Sequence, residues 1–394
     1  MKKDIICFTM TTWEGDYMKT IVHVMGSLAS NHRVLFVDYP FTYKDAIFVS
    51  IGKSKAPLGR MLGVKPRLRT VSYKSNEVFH LTLPPILPTN WIKDPQEFDQ
   101  KIKGETSKIA RSVKKAMNRL GMKNPVVINA FNPIIGDSMV GAFNESLLLY
   151  YCYDEIAAAH WCKVHGGRKE ASFMKKVDGI ITTSEGLQQT KKEFNPNTFL
   201  VKNGVDFDLF EKAFDSEADI NHPTVGYIGS VDDRLDYDLL EYVIGKHPEF
   251  EFHFVGRITY PEGQQRLKQF DNVQFFGSQQ PDQLPQFLKT FDVGVIPFVK
   301  NEFTRNIYPL KINEYLAAGK PVVTTDFANL HDFEGIVSIA SSTVDFSQML
   351  QKELTSNTVE RMEARMELAK TNSWNTRVKQ VNDIIDTLSN PVHA

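Results

Sequence analysis

The sequence predicts an α/β chain made of two successive parallel sheets, each wrapped by helices, and three observations carry that prediction. Short apolar runs rich in Val, Ile, Phe and Tyr alternate with longer amphipathic runs, the pattern of strands joined by helical crossovers. The alternation restarts after "NGVDFDLF" (203–210). A length of 394 residues also exceeds one ordinary core. Two Rossmann-like domains are therefore expected at 1–202 and 203–371, with 372–394 as a terminal helix. In open parallel sheets ligands sit beyond the carboxyl ends of the strands, so the predicted site is a cleft that two such sheets face.

The elements follow in order. "DIICFT" opens as a strand and "DYMKTIVHVMGSLASN" continues as a helix. "HRVLFVDYP", "VVINAF" and "SLLLYYCYD" are strands, and "EASFMKKV" is a helix leading into the strand "DGIITTS". The second series runs through "TVGYIGS" (strand), "YDLLEYVIGKHP" (helix) and "FEFHFVG" (strand). It continues with "NVQFFGS" (strand), "PDQLPQFLKTF" (helix), "DVGVIPF" (strand), a helix inside "YPLKINEYLAAGKPVV" and the strand "KPVVTT". "TNSWNTRVKQVNDIIDTLSN" (371–390) closes the series as a helix with Trp374, Val381, Ile384, Ile385 and Leu388 on one stripe. It reads either as an ordinary terminal helix of the second domain or as one that crosses back.

Composition is ordinary for a globular chain, 42% hydrophobic and 24% charged. No small-residue cleavage site follows the first apolar run, so it reads as a strand and not as a signal peptide. No window reaches the roughly 18 apolar residues of a membrane helix. Cys7, Cys152 and Cys162 lack metal spacing, and an odd count without a leader fits reduced thiols in the cytoplasm. Residues 1–200 carry a net charge of +10 and residues 201–394 a net of −11. The cations concentrate in "GRMLGVKPRLR" (59–69) and in "KIKGETSKIARSVKKAMNRLGMK" (101–123). The latter is an amphipathic helix whose basic face is either simply solvated or a contact for anionic lipid or an anionic acceptor. This places the protein in the cytoplasm, with peripheral contact to the inner face of the plasma membrane as the finer expectation. Nothing in the charge pattern points to nucleic acid.

"YPLKINEYLAAGKPVV" (308–323) is the segment with the most chemistry. Pro309 suits a first helical turn, whose open N–H groups and positive dipole end attract an anion. Leu310 enters the helix, and Lys311 adds a mobile cation at the same end. Glu314, one turn on, can accept two hydrogen bonds from a vicinal diol such as a ribose. Phosphate, cation and diol acceptor in sequence describe a nucleoside diphosphate; a plain helix start with a favourable Glu and a surface Lys explains the segment equally well when it is taken alone.

With its neighbours the segment resembles glycosyltransferases of the GT-B fold, in particular family four and the bacterial cell-surface polysaccharide transferases. The resemblance covers most of the chain and rests on "KNGVDFDLF", "TVGYIGSVDDRLDYDLL", "NVQFFGSQQPDQLPQFLKTFDVGVIPF" and "YPLKINEYLAAGKPVVTT" in that order. It implies a donor domain in the second half, an acceptor domain in the first, and a C-terminal helix at 372–394 that packs back on the first domain. It further implies that Glu314 holds the ribose and Lys311 the diphosphate. Gly229 and Ser230 would let the backbone approach the donor, and Gln279 and Leu284 would lie beside the base, with loop and core packing as the plain alternative. Arg234 either pairs with the diphosphate or belongs to a surface ion cluster in "DDRLD". Many members carry a second glutamate eight positions before the first; here that position is Asn306, so the two-glutamate signature of retaining enzymes is broken. The Pro-Leu-Lys start is similar to a branch that includes an inverting glucuronosyltransferase of xanthan assembly.

An inverting reaction needs a base. "LLLYYCYDEIAAAHW" ends a strand at Asp154 and Glu155, the right end of a parallel strand for a functional carboxylate. Asp154 is the candidate base, with Glu155 and His160 as alternatives; Asp154 reads equally well as an N-cap of the following helix. The loop after the first strand offers Thr11, Thr12, Trp13 and Gly15 to line an acceptor or sugar. The resemblance implies no cofactor and no metal. It implies a UDP-, GDP- or dTDP-linked sugar as donor and a saccharide or lipid-linked acceptor, in surface polysaccharide synthesis. A non-hydrolysing sugar-nucleotide epimerase of like architecture, or an inactive sugar-nucleotide-binding subunit, are the alternatives.

Overall fold

The computed structural model describes residues 2–14, 19–52, 56–156, 162, 164–215 and 223–389. These divide into two compact units, one that runs to Lys202 and resumes at Val378, and one from Asn203 to Arg377.

The first unit holds eight strands: β1 (Asp4–Thr9), β2 (Arg33–Val37), β3 (Leu68–Tyr73), β4 (Asn76–Leu81), β5 (Val126–Ala130), β6 (Leu147–Cys152), β7 (Gly179–Thr182) and β8 (Thr198–Leu200). Their order is β3-β4-β2-β1-β5-β6-β7-β8, parallel throughout except for β3 against β4. Every residue of β5 and β6 is buried, as a strand covered by helices on both faces requires. The long helix Pro95–Leu120 starts at an Asp94 cap, stops at Gly121 in the left-handed region, and buries Ile102, Ile109, Val113 and Met117. Its basic residues therefore form the outward side of a helix whose apolar side is already spent on the core.

The sequence pattern did not single out the β3–β4 hairpin. Its two strands pair residue for residue from Leu68↔Leu81 to Tyr73↔Asn76, around Lys74 at φ 49. The strand β8 of three residues is likewise too short to announce itself by periodicity.

The second unit holds six strands: β9 (Thr224–Ile228), β10 (Glu251–Val255), β11 (Val273–Gly277), β12 (Val293–Ile296), β13 (Val322–Thr325) and β14 (Ser338–Ala340). They form one all-parallel sheet in the order β11-β10-β9-β12-β13-β14. Helices cross between successive strands, and a single apolar core runs from Val205 to Ala369.

The final helix, Trp374–Ser389, is divided between the units after Arg377, and not at 372 as expected. The reason is local. Trp374 N donates to Val205 O at 3.0 Å, Val205 N donates to Asn372 O at 3.0 Å, and Gly204 lies so close to the Trp374 ring that a Cβ there would stand 2.9 Å from it. Arg377 Nη2 also donates to Asn372 Oδ1 at 2.5 Å. From Val378 the helix packs on the first unit: His32 shares a hydrogen bond of 2.7 Å with Asn382, and Leu388 lies against Gly179.

Candidate functional site

In the second unit the helix Leu310–Ala317 follows β12 and stands with its N-terminus beside the turn after β9. Pro309 occupies the N-cap, one position earlier than expected, and no side chain caps the helix. Two buried side chains fix the helix. Tyr315 accepts a hydrogen bond on its hydroxyl from Ile228 N at 2.8 Å, at the last residue of β9, and its ring fills the space over Gly294. Asn313 donates to the Tyr308 hydroxyl at 3.3 Å and accepts from Asn372 Nδ2 at 3.0 Å.

With the helix so held, Lys311 lies directly over Gly229. A Cβ at Gly229 would stand 2.2 Å from Lys311 Cε, so only glycine permits this approach. The Gly229 carbonyl in turn leaves no room for a side chain at Gly256, where a Cβ would stand 1.9 Å from it. Ser230 accepts from the Tyr227 hydroxyl through its carbonyl at 3.0 Å. Burial pushes the Lys311 ammonium below the usual lysine range, while the carboxylate of Glu314 opposes that shift. Burial likewise pushes the Glu314 carboxyl above its usual range, against the pull of Lys311. Among the described residues neither side chain makes a hydrogen bond or an ion pair with a protein atom. A half-buried cation and a half-buried carboxylate, one turn apart and neither hydrogen-bonded to protein among the described residues, carry a desolvation cost that a polar ligand relieves.

The remaining donor-side candidates have protein partners. Arg234 is clamped by Asp232 (Nε–Oδ1 2.9 Å, Nη2–Oδ2 2.5 Å) and stacks over Phe298 at 5.3 Å, which is the ion-cluster alternative; its charge still reaches Lys311. Asn306 ends the short helix Glu302–Arg305 and donates to Glu302 O at 3.1 Å. Gln279 donates to Phe276 O at 2.7 Å, and Leu284 packs half-buried on the core. Asp236 caps the helix Tyr237–Lys246 through Leu239 N, so the acidic run after β9 ends in a helix cap.

In the first unit Asp154 lies two residues beyond β6, half-buried, and accepts from Glu155 N at 2.9 Å. Glu155 is tied to Lys191 at 3.0 Å. Lys191 in turn bridges to Glu170, also at 3.0 Å and fully enclosed, and Tyr150 donates to Glu170 at 2.7 Å. Glu155 is thus a member of a buried ionic network, a role the sequence did not suggest. The helix that Asp154 would cap, with His160, lies outside the described residues, as does Gly15. Thr12 and Trp13 are half-buried. Lys19 binds the Thr12 carbonyl at 2.6 Å and hydroxyl at 3.1 Å, and Trp13 N donates to Asp38 at 3.0 Å. The Trp13 ring meets Phe36 edge-on at 5.0 Å, so one of its faces is packing. Asp38 pairs with the buried His80 at 2.8 Å, which fixes the base of this loop.

Residues 222–352 match the family model for glycosyl transferases group 1. The matched segment lies within the second unit. Over 232 residues the chain is 26% identical to the putative teichuronic acid biosynthesis glycosyltransferase TuaH of Bacillus subtilis, covering 54% of this chain. The chain matches 57% of the length of that relative. Among solved structures it is similar to sucrose-phosphate synthase from Thermosynechococcus elongatus (TM-score 0.70, 15% identity, 98% of this chain and 99% of that one). It is also similar to Anabaena HepE in complex with UDP (TM-score 0.65, 12% identity, 98% and 100% covered). At such identities the shared property is the fold, which is that of GT-B glycosyltransferases. Within the matched segment, Gly229, Lys311 and Glu314 are the expected donor residues that the structure brings together.

Proposed function

We propose that the chain is a glycosyltransferase that moves a sugar from a nucleoside-diphosphate sugar to a saccharide or lipid-linked acceptor in surface polysaccharide assembly. The observation that carries this reading is the half-buried Lys311–Glu314 pair on an uncapped helix N-terminus against Gly229. The diphosphate meets the helix N–H groups and Lys311; the ribose diol meets Glu314. The relative's part in teichuronic acid synthesis and the UDP bound to HepE both fit such a substrate class.

In the reaction, the acceptor hydroxyl oxygen bonds to the anomeric carbon while the bond from that carbon to the diphosphate oxygen breaks. The electron pair leaves with the nucleoside diphosphate, whose growing charge the helix terminus and Lys311 stabilise. This supply of positive charge makes a divalent ion dispensable. Asp154 takes the hydroxyl proton, as an inverting course requires. The epimerase alternative is not favoured, because the family model and the relative are both of glycosyltransferases. Thermal-shift screening of UDP, GDP and dTDP, followed by release of free nucleotide from the matching sugar donor, tests the reading. A nucleotide that binds without turnover on any acceptor would leave a binding subunit instead.

A further inference from the structure

In the described part of the first unit, large apolar side chains stand open to solvent on three adjoining segments. The helix Tyr43–Ser50 exposes Tyr43 and Ile47 (62% exposed), and Ile51 follows four residues on, so the three share one stripe. The short helix Leu58–Met61 packs beside it and is followed by the exposed Leu62 and Val64 (83%). The loop after β4 adds Leu87 and Trp91 (69%), and Tyr43 N donates to Ile86 O at 3.0 Å, which ties this loop to the head of the first helix. Each segment carries an exposed cation beside its apolar residues: Lys44, Lys65 and Lys93.

Negative charge is scarce here. Residues 42–93 hold nine Lys and Arg against Asp45 and Glu77, and Glu14 from the loop after β1 engages two of the nine, Arg60 and Arg69. The Asp45 carboxylate is turned inward, accepting from Thr42 N at 2.6 Å and the Thr42 hydroxyl at 2.7 Å in a closed capping box. Aliphatic side chains beside lysines, with a Tyr and a Trp that each join an apolar ring to a polar tip, make up a surface suited to the boundary between lipid tails and anionic headgroups.

We propose that this face, formed by residues 43–51, 58–65 and 87–93, docks on an anionic lipid bilayer. The helix Pro95–Leu120, the other basic candidate, has no apolar residues left to insert, because Ile102, Ile109 and Val113 already serve the core. A second copy of the chain would bring like charges together. The docking loop also walls a pocket of about 100 Å³ between Ile86–Asn90 and the residues Phe131–Ile135 that follow β5. If the acceptor reading of the first unit holds, docking sets that pocket at the lipid surface; the docking itself does not depend on that reading.

Flotation of the full chain with phosphatidylcholine vesicles, with and without phosphatidylglycerol, tests the proposal in the absence of any donor. Binding is expected on the anionic vesicles and is expected to weaken as salt rises. The pair Ile47→Ser with Ile51→Ser should lower partitioning by about tenfold or more. The pair Lys44→Glu with Lys65→Glu should abolish the preference for anionic lipid. All four side chains are exposed, so thermal midpoints and nucleotide affinity should match the parent protein. The emission of Trp91 should shift to the blue on the vesicles, a change that Trp91→Phe removes. Absence of flotation at low salt, or equal flotation of parent and variants, overturns the proposal. So does sedimentation that shows a dimer dissolved by the Ile47 and Ile51 changes, since a second copy would then cover the face. Failure of nucleotide binding with flotation intact would count only against the transferase reading.

Discussion

Replacing Gly229 with Ala should selectively damage diphosphate recognition. The new Cβ would stand 2.2 Å from Lys311 Cε and 2.6 Å from the Tyr227 hydroxyl. Carbon atoms rest about 3.5–4 Å apart, so the end of Lys311 must withdraw by more than about 1 Å. A charge-assisted hydrogen bond of about 2.8 Å does not survive that shift. Its loss costs about 1.5–3 kcal/mol, or roughly 10- to 150-fold in dissociation constant. Overpacking costs folding stability about 1–3 kcal/mol, visible as a lower thermal midpoint. Titration calorimetry should show this drop for the nucleoside diphosphate that the screen selects, and almost none for its nucleoside. A double-mutant cycle isolates the cause. In a Lys311→Ala background no Cε remains to displace, so Gly229→Ala should add little further loss. Losses that simply add, or an equal drop for the nucleoside, would refute the assignment of Lys311 to the phosphates.

Three further outcomes are expected. Burial raises the folded-state pKa of Glu314 above 4.5, so just above that pH the folded chain holds a proton that the unfolded chain has released. Ligand-free stability should therefore fall as pH rises through that window, and Glu314→Gln should remove the fall in urea titrations; identical pH slopes would contradict the raised Glu314 carboxyl. Transfer should persist in EDTA, because helix terminus and Lys311 carry the leaving charge; complete loss with rescue by Mg²⁺ or Mn²⁺ would show that chemistry to be wrong. Asp154→Asn should lower transfer by ~100-fold or more at unchanged donor affinity, with the product's anomeric configuration opposite to the donor's by NMR; near-normal turnover with retained configuration would make Asp154 a structural residue.

The second unit was legible because its signals are local. Each strand there is a short apolar run bounded by turn residues, and the helix at 310–317 carries its candidate donor-binding side chains one turn apart in sequence. What holds that helix was not legible. Tyr315 reaches Ile228 across 87 positions, and Asn313 reaches Asn372 across 59, and neither pairing leaves a mark in the periodicity. The same applies to Glu155, whose partner Lys191 lies 36 residues away, so a candidate for the site proved to be part of a buried network. Arg234 could be read two ways because its partner Asp232 is only two residues off, and the choice depended on geometry. The β3–β4 hairpin was missed since its alternation, half exposed on both strands, is weak beside the fully buried runs around it.

The pairing of Val205 with Ser373 has a consequence for biosynthesis. It brings together the two points at which the chain enters and leaves the described part of the second unit, which is one continuous stretch inserted within the first. On the ribosome, 203–377 can fold as soon as it has emerged. The first unit must wait, incomplete, until 378–389 arrive to cover Gly179 and to bond His32 through Asn382. During that interval the apolar ground meant for Ile385 lies open. A chain cut short after Arg377 should keep a sound insert and a first unit that chaperones and proteases recognise.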